Sequence, residues 1–113
     1  MCNQNTLKQI TDKVCGYSKV VFGQKLSAVK LYGSYSRCDF DDESDIDIII
    51  IADISPEERV IYRNQLFDYI YDLDLEYDVL ISVFIQDKST FERYKDSYPF
   101  YKNIESEGVD LVA

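Results

Sequence analysis

Histidine and tryptophan are absent from this 113-residue chain, and glycine and proline are scarce, at four and two. Without histidine there is no imidazole acid/base chemistry, and the usual zinc ligand sets are gone. The three cysteines, Cys2, Cys15 and Cys38, have no CxxC spacing, and their odd number fits a reducing compartment better than a disulfide scaffold. Long apolar runs are missing too. The longest, Ile48 to Ala52, falls far short of the roughly 20 residues that span a bilayer, and the N-terminus is polar rather than signal-like. The expectation is a cytoplasmic protein with no membrane association, whose chemistry rests on carboxylates and hydroxyls.

What is present is a foldable, acidic chain. Hydrophobic residues make up 46% and aromatics 14%, a globular composition, and the length fits a single domain over residues 1–113. The net charge is −9, and it is unevenly spread. Residues 1–30 carry five lysines and one aspartate, leaving seven basic and twenty acidic residues for 31–113. An acidic body repels polyanions unless divalent cations intervene, so nucleic acid is not an expected partner.

Periodicity gives the element order. Leu7, Ile10, Val14, Tyr17 and Val21 fall on one helical face, predicting a helix over 3–23 that Gly23 stops. A motif-bearing core follows over 26–112. Ala28 to Tyr32 reads as a short strand closed by Gly33-Ser34, and Ile46 to Ala52 as a central strand covered on both faces. Ser55-Pro56-Glu57-Glu58 has the form of a capping box, predicting a helix from Pro56 to about Asp72. Glu76 to Gln86 alternates like a third strand, followed by a short helix near Ser89, another from Pro99 to Gly108, and a last short strand over Val109 to Val112.

Two aspartates in a strand at i and i+2 point to the same side, so Asp45 and Asp47 can converge on a hard cation such as Mg²⁺. By itself, such a pair is more often two solvated acids. Gly33 and Ser34 offer the complementary half, because a glycine turn lets main-chain amides approach an anion closely. Asp78, 31 residues after Asp47, is the candidate third ligand and base if its strand neighbours that of Asp47, with Glu76 as the fallback. The intervening acids Asp39, Asp41, Asp42 and Glu43 do not make an EF-hand: counted from Asp39, Ser44 stands where Gly is needed and Ile50 where Glu is needed.

Taken together, GSYSRCDFDDESDIDIII resembles the signature of the minimal nucleotidyltransferases, within the DNA polymerase β-like superfamily. The family pattern of Gly-Ser, ten residues and Asp-x-Asp falls on Gly33, Ser34, Asp45 and Asp47, with Arg37 and Ser44 in familiar places. Ser36 and Cys38 depart from the commoner Ala and Gly. The resemblance implies an α+β fold, a mixed β-sheet flanked by helices. It implies transfer of a nucleoside monophosphate, AMP from ATP or another NTP, to a hydroxyl. Asp45, Asp47 and Asp78 would be the catalytic and metal-binding residues of a two-metal Mg²⁺ site, with Gly33, Ser34, Arg37 and Ser44 binding the nucleotide. Short members resemble antitoxins paired with HEPN-type toxins, some of which adenylylate a tyrosine of the partner. Two other readings compete: a non-catalytic module that masks its partner, and a transferase for a small-molecule or tRNA hydroxyl.

Overall fold

A computed structural model of the chain describes residues 4–33 and 45–112. The elements are α1 (Gln4–Phe22), β1 (Leu26–Tyr32), β2 (Ile46–Ala52), α2 (Arg59–Tyr77), β3 (Ile81–Asp87), α3 (Lys88–Tyr94), α4 (Pro99–Glu107) and β4 (Val109–Val112). One four-stranded sheet has the order β3-β2-β1-β4. β1 pairs antiparallel with β2 and β4, whereas β2 and β3 are parallel and joined by the α2 crossover. This is the expected α+β mixed sheet, with helices on both faces. Among the described residues no helix is long and apolar enough to cross a membrane.

The sheet is organised around β2, whose Ile46, Ile48, Ile49 and Ile50 are completely buried. Side chains alternate along a strand, so this run feeds two cores. Ile46, Ile48, Ile50 and Ala52 pack with Ile10 and Val14 of α1 and Leu66, Ile70 and Leu73 of α2. Ile49 and Ile51 pack on the other face with Phe91 of α3 and Ile104 of α4, joined by Tyr32, Phe84 and Tyr101. Each isoleucine so buried contributes about 1.5–3 kcal/mol relative to exposure. The continuous apolar run therefore reflects two packed layers.

Local signals set several boundaries. The capping box forms as the sequence implies: Glu58 N–H donates to Ser55 Oγ at 3.3 Å, and Ser55 N–H to Glu58 Oε1 at 2.9 Å. The first turn, Pro56–Glu58, is a 3₁₀ turn that leads into α2. α3 starts on Asp87, whose Oδ2 accepts the Thr90 N–H at 2.9 Å. Gln86 donates to Asp87 Oδ1 at 2.9 Å and accepts the Tyr101 hydroxyl at 3.1 Å, tying β3 to α4.

The boundary between α2 and β3 differs from the sequence expectation by several residues, and β1 begins two residues earlier than expected, at Leu26. The strand expected over Glu76 to Gln86 begins only at Ile81, because α2 runs on to Tyr77. Lys13 of α1 donates to Glu76 at 2.8 Å, and Tyr77 packs against the core, holding the last turn helical. Asp78 then turns the chain in a left-handed conformation at φ 52°, its N–H bonded to the Asp74 carbonyl. The Asp74 carboxylate accepts the Ile81 N–H at 3.0 Å and so helps position the start of β3.

Candidate active site

The chemistry-bearing side chains gather at one end of the sheet, where β1 finishes and β2 and β3 begin. Register aligns Tyr32 of β1, Asp47 of β2 and Ser82 of β3 in one row. By alternation that row faces the α3/α4 layer, the side lined further along by Ile49, Ile51 and Phe84. Asp47 is half-buried within it, and Asp45, one residue before β2, is exposed at its rim.

Gly33 is what allows Asp47 to sit there. Its φ is +75°, and a Cβ built on it would lie 2.5 Å from Asp47 Oδ2. The turn after β1 therefore requires glycine twice: for its left-handed backbone, and for the space the carboxylate fills. Tyr32 registers the same crowding. Burial, and secondarily the Asp47 charge, pushes its phenol above the ordinary value of 10.0. Beyond Gly33 a pocket of about 180 Å³ opens between Tyr32, Phe100, Asn103, Ile104 and Glu107. A larger pocket of about 280 Å³ between α2 and β3 is lined by Leu66, Phe67, Ile70, Tyr71, Asp74 and Leu80, on the layer opposite the Asp47 row.

The expected site residues are not all brought together. Gly33 and Asp47 are in contact and Asp45 stands exposed just before β2, whereas Ser34, Arg37 and Ser44 lie outside the described residues, as do Cys38 and the acids between Asp39 and Glu43. Asp78 is the exposed left-handed residue ending α2, four positions before Ser82, rather than a strand residue beside Asp47. The fallback, Glu76, is paired with Lys13 on the α1 side. Among the described residues no three His, Cys, Asp or Glu side chains are grouped so as to hold a metal ion. Two residues of the row, Tyr32 and Ser82, are not singled out by the motif. Tyr32 is within reach of the sequence, since it directly precedes the glycine turn; Ser82 becomes visible only once the β2–β3 register is known.

The donor set that remains suits a hard cation. Asp47, half-buried in β2, and Asp45, exposed just before it, are the kind of donors by which Mg²⁺ is usually held, one or two protein carboxylates plus phosphate and water.

Comparison with known proteins agrees with this geometry. The model of the nucleotidyltransferase domain family matches residues 7–110. From Methanocaldococcus jannaschii, the proteins named putative protein adenylyltransferase MJ0604 and MJ0141 are 33% and 32% identical, over 74% and 72% of this chain and 76% and 80% of their own lengths. Among solved structures, a toxin–antitoxin complex with AMP-PNP superposes with a TM-score of 0.54 at 20% identity, and a mutant of the toxin–antitoxin MntA-HpeT with 0.56 at 17%. Each covers 91% of this chain and 73% of the matched one, and at these identities the likeness shows the fold. With the family pattern spanning nearly the whole chain and Asp47 of its aspartate pair seated against the glycine turn, the chain belongs to the nucleotidyltransferase domain family.

Proposed function

We propose that this domain transfers AMP from ATP to a hydroxyl on a partner protein, and that it acts as the antitoxin of a pair whose toxin is of the HEPN type. The observation that carries the transfer is the seating of Asp47 against Gly33, with Asp45 beside it at the rim. The names of the relatives support adenylyl as the group moved and protein as its destination. The toxin–antitoxin structures with the same fold support the biological setting.

In this reading the chain's own work is positioning and electrostatics. Strand pairing on both sides fixes the backbone of Asp47, and the Gly33 turn fixes its carboxylate. Asp45 and Asp47 would hold Mg²⁺, with Asp45 facing solvent where a triphosphate arrives. The bound cation would neutralise phosphate charge and lower the pKa of the attacking hydroxyl. Gly33 together with Ser34, Arg37 and Ser44 forms the phosphate side of the proposal. Asp78, set apart at the end of α2, is given no place among the cation's ligands.

The test is transfer of label from α-labelled ATP to a co-purified partner. The Asp45→Ala/Asp47→Ala double variant should lose transfer by at least about 100-fold, the scale at which misplaced reacting groups fail, while its circular dichroism stays native. Undiminished transfer by the folded variant refutes the proposal. One observation favours a second reading, neutralisation by masking: among the described residues the third carboxylate does not join the pair. Masking predicts that the same double variant still protects cells from the toxin.

A further inference from the structure

We infer, resting on the nucleotidyl-transfer reading above, that Ser82 takes the third position of the site, making it a one-cation site completed by a hydroxyl. Parallel register sets Ser82 directly beside Asp47. Neighbouring strands lie about 4.8 Å apart, and aligned residues of a parallel pair point to the same face. Ser82 therefore presents its hydroxyl alongside the Asp47 carboxylate. It is exposed, and its hydroxyl makes no hydrogen bond with any described residue, so it is available to a ligand at this rim.

Among the described residues no third acid compensates: Asp78 is the exposed left-handed residue that ends α2, and it forms no metal-holding group with Asp45 and Asp47. Leu80, exposed, and Ile81, buried, precede it. Asp87 ends the same strand at its far end, where capping α3 occupies its carboxylate. Asp74 is committed to the Ile81 amide, and Glu76 to Lys13. The row thus brings one protein charge to the ligand, from Asp47, and Asp45 just before β2 adds a second. Two divalent cations about 3.5–4 Å apart repel strongly and need a shared carboxylate plus further anionic ligands for each. Two aspartates suffice for one cation that shares the phosphates of a nucleotide. Ser82 then serves as a neutral positioning residue, its hydroxyl donating a hydrogen bond to a phosphate oxygen or accepting one from a cation-bound water.

The experiment counts cations rather than turnover. Mn²⁺ is titrated into the protein saturated with AMP-PNP, and bound metal is read by electron paramagnetic resonance, with nucleotide affinity measured in parallel. The wild type should bind one Mn²⁺ per protein–nucleotide complex. Ser82→Asp should bind two, and Ser82→Asn, similar in size but uncharged, should still bind one. Ser82→Ala should keep one Mn²⁺ and weaken AMP-PNP roughly three- to tenfold, the scale of one lost hydrogen bond. Two Mn²⁺ in the wild type, or no gain in Ser82→Asp, overturns the assignment while nucleotide transfer stands. A wild type that binds neither Mn²⁺ nor AMP-PNP overturns both. The wild-type count requires no variant to fold.

Discussion

Replacing Gly33 by alanine tests the core of the site with a single methyl group. The substitution forces an L side chain into a backbone with φ +75°, which costs about 1–2 kcal/mol. It also places Cβ 2.5 Å from Asp47 Oδ2, where ordinary contact begins at 3.4 Å, so the carboxylate must move by about 1 Å. A displacement of that size at reacting groups costs on the order of 100-fold in rate. In a domain of this length, each 1 kcal/mol lowers the melting temperature by roughly 4–8 °C. Gly33→Ala should therefore melt at least about 4 °C lower and transfer label about 100-fold more slowly. Gly16 is the natural control. It lies exposed within α1, and an added methyl would meet nothing within 4 Å, so Gly16→Ala should stabilise the protein by up to about 1 kcal/mol and leave transfer unchanged. A Gly33→Ala protein with wild-type melting and full transfer would refute the placement of Asp47 and the role built on it.

Other measurements probe the surroundings of the site. Tyr32 should ionise above 10.0 in an ultraviolet pH titration, and Asp47→Asn should bring that value down by removing the charge while leaving the larger effect of burial. At Asp87, burial pushes the carboxyl up, but hydrogen bonds from Thr90, its own amide and Gln86 outweigh this and leave it below its ordinary 3.8. A depressed folded value means that its contribution is complete above the unfolded pKa and is lost as pH falls through the folded one. Asp87→Ala should thus cost about 1 kcal/mol at neutral pH, and the gap to wild type should close under acid conditions, as urea melts across pH would record.

Much of the fold is legible in the sequence because local chemistry and tertiary demand agree. Ser55, Pro56 and Glu58 mark the start of a helix in any context, and the isoleucines of β2 are explained by two facing layers. The α2–β3 boundary is not legible, because the alternation through Glu76 and Asp78 suits a strand while its setting favours a helix. The ion pair of Glu76 with Lys13, the packing of Tyr77 on the core and the carboxylate of Asp74 decide the matter, and Lys13 and Asp74 lie outside the alternating segment. The site follows suit. Gly33, Asp45 and Asp47 are visible as a motif, but the residue beside Asp47 depends on how two strands far apart in sequence align. The later start of β3, at Ile81, moves attention from Asp78 to Ser82.

The isoleucine run also bears on how the protein comes into being. Ile48 to Ala52, rich in β-branched residues with no charge or proline, is a strong candidate for wrong pairing when its edge is open. In the finished sheet β2 has a strand on either side and helices over both faces. During synthesis only β1 precedes it; the partner for its other edge is Ile81–Asp87, beyond the whole of α2. At about 5–20 residues per second, that edge waits roughly 2–7 s for its partner to be made. Substitutions that delay docking of α2 should lower soluble yield without touching an atom of the site. The segment that anchors Asp47 is thus also where a nascent chain has most to lose.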